Sequence, residues 1–221
     1  MFALYRIKKI YLTISVIFLF IATNTFAQPL EKSLYLSDIC DAHFNEYENS
    51  MRIPPHLLKA ISLKETGRWD KNKKESFTWP WTVTSGGWSH YFKTKESAIR
   101  AVKRLQLRKI TNIDVGCMQI NLKYHPNAFK TLDEAFDPSS NILYATKFLK
   151  KLYKNEKSWH RSIEKYHSSN PKFSLKYRTK VNKIWKKIRS IEAHKKRVAV
   201  KKAYMERKAK YKLNMKSRGK S

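Results

Sequence analysis

The strongest constraint on the fold is the segment HLLKAISLKETG at residues 56–67, in which apolar residues recur at helical spacing. Leu58, Ile61 and Glu65 fall on one stripe with Leu57 beside them, while the lysines of the segment point elsewhere. The spacing therefore predicts an amphipathic helix that carries a half-buried carboxylate on its apolar face. The alternative interpretation is a differently oriented helix with a solvated glutamate.

Other segments repeat this helical spacing, which predicts a mainly α fold. Such stripes begin near residues 36, 95, 137 and 159. Between residues 79 and 92 the period changes to two, with Gly86 and Gly87 at the centre, and this pattern predicts a small β-hairpin insertion. The hairpin is rich in aromatic residues, which favours either a structural flap over the core or a platform on which sugar rings stack.

The N-terminus has the form of a signal peptide. Three basic residues precede an apolar run from residue 10 to 22, and small side chains follow at Thr25 and Ala27. Cleavage after Ala27 would remove residues 1–27 and place the mature protein in the periplasm. An uncleaved membrane anchor is the alternative, although the run is shorter than the roughly 20 apolar residues of a spanning helix.

Export changes the interpretation of the two cysteines, Cys40 and Cys117, because an oxidising compartment permits disulfides. One bridge between them is the simple hypothesis. The alternative is a pair of buried thiols that never meet, since the sequence does not supply the Cα separation that a bridge requires.

The chain is strongly basic, with a formal net charge of +30 that falls to +27 once the signal peptide's three basic residues are removed. In an exported protein this charge suggests an anionic lipid surface, an acidic envelope polymer or peptidoglycan carboxylates, and not nucleic acid, as partners. From about residue 172 the sequence predicts one long basic C-terminal helix whose apolar stripe fades past residue 195. Residues 191–221 are expected to be a partly disordered extension or an envelope-binding segment.

The chemistry suggested by these residues is glycoside cleavage. A half-buried carboxylate can act as a general acid, and the segment NIDVGCMQINLKYHP resembles the lining of a cleft, because Gly116 interrupts it and the polar Gln119 and Asn121 lie among apolar residues. The seven histidines are scattered without ligand spacing, and no G-x-S-x-G motif occurs, so neither a metal site, a cofactor nor a serine nucleophile is expected.

Three short motifs occur in the order seen in the soluble-lytic-transglycosylase-like (SLT) domains, which cleave peptidoglycan glycan strands. Glu65-Thr66-Gly67 is similar to the family's Glu-Ser-Gly at a helix end. Gly116-Cys117-Met118-Gln119 is similar to Gly-Leu-Met-Gln, and Lys165-Tyr166-His167 is a loose match to Ala-Tyr-Asn. The resemblance covers residues 36–190 and is strongest to a branch with WPWT, IDVGCMQ and YHS at these places.

The resemblance implies a lysozyme-like α domain in which Glu65 serves first as acid and then as base. Enzymes of this kind cut the β-1,4 bond between N-acetylmuramic acid and N-acetylglucosamine and close a 1,6-anhydro ring, which makes them lyases. The substrate-binding positions carried over are Thr66, Met118, Gln119, Asn121, Tyr166 and His167. Tyr166 is expected to hydrogen-bond either Glu65 or the sugar.

Two other functions compete with this one. If Asp114 reached the site as a second acid and held a water molecule, the enzyme would hydrolyse the bond as an inverting muramidase. A non-catalytic protein that binds peptidoglycan through the aromatic hairpin and the basic tail is the second alternative.

Overall fold

The computed structural model describes residues 39–218, which form seven helices and two small antiparallel sheets. The helices are α1 (Asp41–Ser50), α2 (Leu57–Thr66), α3 (Lys95–Leu107), α4 (Leu132–Ala135), α5 (Pro138–Glu156), α6 (Trp159–His167) and α7 (Pro171–Arg218). The strands are β1 (Gly67–Asp70), β2 (Glu75–Thr78), β3 (Thr82–Ser85), β4 (Trp88–Tyr91), β5 (Asp114–Val115) and β6 (Ile120–Asn121). The predicted mainly α, lysozyme-like fold with a β-hairpin insertion is confirmed.

The predicted signal peptide, residues 1–27, lies outside the described residues, as does the first turn of the stripe that begins at residue 36. Among the described residues, no helix combines the length and apolar character that crossing a membrane requires.

Helix α2 is positioned from its first turn by a buried carboxylate. Glu48 of α1, 2% exposed, accepts hydrogen bonds from the backbone N–H groups of His56 at 2.7 Å and Leu58 at 2.8 Å. These donors have no partner within the helix, so Glu48 caps it from a neighbouring element. Burial raises the pKa of Glu48 to about 7, against the opposing effect of these backbone hydrogen bonds.

The predicted disulfide is confirmed: Cys40 and Cys117 are bonded, with their Cα atoms 6.1 Å apart. The bridge lies in the larger core, which α1, α2, α5, α6 and α7 build around Leu57, Ile61 and Ile142. A second core lies under the sheet, where Val83 and Val115 pack against α3. The larger core holds the end of α2 in place, and the second core holds the four-stranded sheet in place.

The hairpin predicted between residues 79 and 92 is strands β3 and β4, joined at Gly86 and Gly87, whose φ values of +57° and +81° suit glycine. Sequence periodicity did not predict the β1–β2 hairpin that follows α2 directly, nor the two-residue strands β5 and β6. The four-stranded sheet has the order β4-β3-β5-β6, and all of its pairs are antiparallel.

Helix α7 packs its first half against α2 and α6, with Tyr177 and Val181 buried. Its apolar stripe ends near Ile191, and the side chains from residue 195 to 215 are exposed. The helix itself runs without interruption from Pro171 to Arg218, across the predicted start of the extension at residue 191.

Candidate active site

Glu65 lies in the last turn of α2, where the chain passes into β1. Its side chain is half-buried, and its Oε1 accepts a hydrogen bond from the hydroxyl of Tyr177 at 2.5 Å. Burial raises the pKa of Glu65 and the charge of Asp114 adds to the rise, whereas the Tyr177 bond and the charge of Lys64 lower it. Glu65 is therefore a carboxyl group whose neutral form is favoured by its surroundings.

Tyr177 holds Glu65 from the first turns of α7. The tyrosine is 3% exposed, and its ring stacks on the imidazole of His167 with the centroids 4.3 Å apart and the planes 4° from parallel. The ammonium of Lys64 lies 5.4 Å from the centre of the same ring. Burial and the nearby charge of Glu65 raise the pKa of Tyr177 well above its ordinary value, so its hydroxyl keeps its proton and donates.

A polar row on the sheet supplies the second group of candidate residues. Thr84, Asp114 and Asn121 are direct partners across β3, β5 and β6, and all three side chains are half-buried. The neighbouring row of Val83, Val115 and Ile120 is buried, so the polar row occupies the opposite face.

The carboxylate of Asp114 accepts a hydrogen bond from the side-chain amide of Asn121 at 2.8 Å. Burial raises the pKa of Asp114, and this bond opposes the rise. Asn121 was predicted as a substrate-binding position and Asp114 as a possible second acid, and the sheet register brings the two together. Asn121 also caps the following turn, because its Oδ1 accepts from the backbone N–H groups of Lys123 and Tyr124.

Gln119 joins this polar row from the loop between β5 and β6. Its backbone has φ of +49°, and its amide nitrogen donates to the carbonyls of Thr82 at 3.2 Å and Gly116 at 3.1 Å. Its Oε1 accepts from the hydroxyl of Thr84 at 2.6 Å. The amide is thus held by three partners in one orientation.

The loop between β5 and β6 is held by hydrogen bonds to Asn141 of α5, whose side chain is fully buried. Its Oδ1 accepts from the N–H of Met118 at 2.9 Å, and its Nδ2 donates to the carbonyls of Val115 and Ala135. Gly116 has φ of +80°, and a Cβ there would lie 2.4 Å from the amide nitrogen of Asn141. The glycine of the second motif is therefore required by backbone conformation and by this close approach.

Two of the predicted sugar contacts are corrected by burial. The side chains of Thr66 and Met118 are both fully buried, so neither offers surface to a ligand. The Thr66 hydroxyl donates toward the carbonyls of Ser62 and Cys117, each at 3.2 Å. Thr66 thereby ties the first motif to the second, and Met118 packs in the larger core.

Of the two partners expected for Tyr166, Glu65 or the sugar, the structure does not pair it with Glu65. The Tyr166 hydroxyl donates to the carbonyl of Met118 at 2.8 Å, and the hydroxyl that bonds Glu65 belongs to Tyr177. Tyr166 still lies in the electrostatic surroundings of the site, because burial and the charges of Glu65 and Asp114 raise its pKa well above the ordinary value. His167 reaches the site through its stacking on Tyr177.

Sequence reasoning therefore missed Tyr177, Thr84 and Asn141. In the sequence Tyr177 appears only as one member of the apolar stripe of α7. Its hydroxyl was the one feature that could have marked it as a residue of the site.

Within residues 39–218, no group of three His, Cys, Asp or Glu side chains is placed to hold a metal ion.

The candidate site therefore consists of a half-buried carboxyl at a helix end, a tyrosine that bonds it and a polar sheet face. The family model for the transglycosylase SLT domain matches residues 42–188, about two thirds of the chain. The chain belongs to this family. SLT domains have a lytic-transglycosylase-like activity that cleaves peptidoglycan, and the membership extends that general function to this protein. Neither the curated proteins nor the solved structures include a significant match.

Proposed function

We propose that the protein is a peptidoglycan lytic transglycosylase that uses Glu65 as its only acid and base. It would cleave the β-1,4 bond between N-acetylmuramic acid and N-acetylglucosamine and leave a 1,6-anhydromuramoyl end. The observation that carries the proposal is the half-buried Glu65 with a raised pKa, on the first motif of an SLT domain. A carboxyl whose surroundings raise its pKa and so favour its protonated form is suited to protonate a leaving oxygen.

In the proposed reaction the Glu65 proton passes to the glycosidic oxygen as the bond to the anomeric carbon breaks. The 6-hydroxyl of the muramoyl residue then bonds to that carbon and returns its proton to the Glu65 carboxylate. The substrate's acetamido group can assist at the anomeric carbon, so the scheme needs no second carboxylate. The raised pKa of Glu65 favours the protonated form from which the cycle starts and to which it returns.

The second candidate is an inverting muramidase, and the position of Asp114 on the polar row favours it. In that reaction Asp114 would hold and activate a water molecule, and the product would be a reducing end. Against it, one carboxylate oxygen of Asp114 is engaged by Asn121. On our proposal Asp114 acts on charge alone, because its ionised form raises the pKa of Glu65.

Digestion of purified sacculi distinguishes these reactions. The lytic transglycosylase is expected to release muropeptides that carry anhydromuramoyl ends, each lighter by one water than the hydrolysed product. Mass spectrometry of the soluble fraction before and after borohydride reduction measures this, since only reducing ends gain hydrogen. Release of reducing-end muropeptides alone would overturn the proposal in favour of the muramidase.

Tyr177 is proposed to position Glu65 and to set its pKa. The Tyr177→Phe variant loses the hydrogen bond that lowers this pKa, so the alkaline limb of the kcat/KM profile is expected to move to higher pH. We also expect kcat to fall roughly tenfold, the order of one lost charge-assisted hydrogen bond. The pH dependence of cleavage of soluble glycan strands measures both effects.

The Tyr47→Phe variant is the matched control, because its hydroxyl bonds Ser139 at 2.5 Å on α5 and not Glu65. It is expected to keep the wild-type pH profile. A Tyr177→Phe variant with reduced activity but an unmoved alkaline limb would contradict the proposed role in setting the pKa.

We further propose that the mature chain acts in the periplasm after cleavage at residue 27, with residues 36–190 as the catalytic domain. Residues 191–221 would then be a basic extension that meets an anionic envelope polymer or membrane surface. The exposed, lysine-rich second half of α7 and the formal net charge of the chain support this proposal.

A further inference from the structure

The aromatic hairpin carries a second surface that the proposed reaction does not use. On β4 and just after it, Trp88, His90 and Phe92 alternate along the chain and form one ring cluster. The rings of Trp88 and His90 are stacked with centroids 5.3 Å apart and planes 8° from parallel. Trp88 remains 48% exposed, so much of the indole is open to solvent.

This cluster lies on the face of the hairpin opposite the polar row. Thr84 pairs with Ser89, whereas Ser85 pairs with Trp88 and Val83 pairs with His90. Because side chains alternate between the faces of a strand, Trp88 and His90 lie on the Val83 side and Thr84 lies on the other. Gln119 bonds Thr84, so the candidate active site and the aromatic cluster are on opposite sides of the same two strands.

The cluster forms one wall of a cavity of about 770 Å³ whose other wall is the end of α3. Its main lining residues are Trp88, Phe92, Arg104, Leu105, Arg108 and Ile110. The lining is therefore aromatic and aliphatic, with two guanidinium groups at one side. This composition suits a ligand that has both flat apolar faces and negative charge.

The two arginines are available to an external anion. Both are exposed, and within residues 39–218 neither forms an ion pair with a carboxylate. Arg104 lies in the last turn of α3 and Arg108 is its C-cap, where the helix dipole itself favours cations. A guanidinium binds a carboxylate through two parallel hydrogen bonds, so this pair can recognise carboxylates specifically.

We propose that this cavity is a second binding site for a peptide-bearing peptidoglycan strand, separate from the strand at Glu65. A pyranose ring would stack on the open face of Trp88, and carboxylates of the stem peptide would bind Arg104 and Arg108. The proposal rests on the proposed function, because that function supplies the polymer. An acidic protein segment could also match the arginines, but the polymer that the proposed function supplies carries both pyranose rings and carboxylates, so the glycan is the favoured occupant.

A consequence of this arrangement is retention of the enzyme on the wall. One strand bound at Glu65 and a neighbouring strand bound at Trp88 would hold the protein by two contacts on the same insoluble polymer, and linked contacts multiply the apparent affinity. Loss of the second site should therefore weaken binding to sacculi while leaving the cleavage of short soluble strands unchanged.

The test compares Trp88→Ala with Leu107→Ala, each in a Glu65→Gln background that prevents turnover. Leu107 is the matched control because it is 84% exposed on the same helix as the arginines but does not line the cavity. Trp88→Ala is expected to lower retention on sacculi roughly tenfold, and Leu107→Ala to leave it unchanged. Calorimetry with purified disaccharide-peptide fragments is expected to give two sites in the background protein and one after Trp88→Ala.

The charge contribution is tested with the double variant Arg104→Gln/Arg108→Gln against Lys103→Gln/Lys109→Gln, which removes the same charge from exposed positions outside the cavity lining. The arginine variant is expected to lose affinity for soluble glycan strands that carry stem peptides but not for strands from which the stem peptides have been removed. The lysine variant is expected to bind both as the background protein does.

The proposal would be overturned if the Trp88→Ala and Leu107→Ala variants were retained equally, or if the background protein had only one binding site. A protein partner would then be the better candidate for the cavity. Failure of the proposed function would appear differently. A wild-type protein that released nothing from sacculi, but still needed Trp88 for retention, would refute the lytic activity and keep the second site.

Discussion

The Glu65→Gln variant is expected to cleave sacculi about a thousandfold more slowly than the wild type while binding them with similar affinity. Glutamine keeps the shape of the side chain and can still accept the hydrogen bond from Tyr177, but it cannot donate a proton to the glycosidic oxygen. The loss should therefore fall on kcat and leave KM nearly unchanged. Initial rates of soluble muropeptide release over a range of sacculus concentrations give both parameters.

Glu75→Gln is the matched control for this experiment, since it makes the same change at an exposed position on β2. It is expected to cleave as the wild type does. Asp114→Asn completes the comparison, because on our proposal it removes only a nearby charge that raises the pKa of Glu65. A Glu65→Gln variant that cleaved at the wild-type rate would refute the role of Glu65 as the general acid. A loss of cleavage rate in Asp114→Asn as large as that in Glu65→Gln would support the muramidase.

The sequence predicted the helix around Glu65 because its stabilising contacts are local and periodic. Apolar residues at spacings of three and four fix which side of α2 meets the core, and Glu65 lies on that side by simple geometry. The β3–β4 hairpin was predictable for the same reason, since alternation and a Gly-Gly turn are both short-range signals. These elements place the carboxyl and one wall of the site.

The partner of Glu65 was not predictable in this way. Tyr177 is separated from it by 112 residues, and periodicity identifies the buried face of α7 without identifying what that face meets. The polar row could not be predicted either, because Thr84, Asp114 and Asn121 become neighbours only through the register of three short strands. Two-residue strands are too short to show a period in the sequence.

The family resemblance assigned sugar contacts to two residues whose side chains are buried in the structure. Thr66 and Met118 belong to the first and second motifs, yet both side chains are buried and hold the motifs in place. A residue of a motif can be required for packing as well as for contact with a ligand. Burial in three dimensions separates these two cases, and the linear sequence does not contain it.

The disulfide carries the largest expected effect on stability. The double variant Cys40→Ala/Cys117→Ala is expected to lower the free energy of unfolding by about 2–5 kcal/mol, because the bridge closes a long loop in the unfolded chain. The two cysteines are 77 residues apart, and both are buried in the larger core, so the variant also loses some packing. Urea denaturation followed by circular dichroism measures the change.

Cleavage at low temperature should survive the loss of the bridge. The hydroxyls of Ser62 and Thr66 bond the backbone carbonyl of Cys117, which an alanine retains, so these ties between the two motifs remain. Wild-type protein unfolded in the presence of a reductant is the control. Its free energy of unfolding should equal that of the double variant, apart from the packing that the two alanines lose. A double variant with the wild-type urea midpoint would contradict the prediction. If its stability fell as expected while its kcat at low temperature stayed normal, the bridge would serve to keep the folded state populated, and the hydrogen bonds alone would position Glu65.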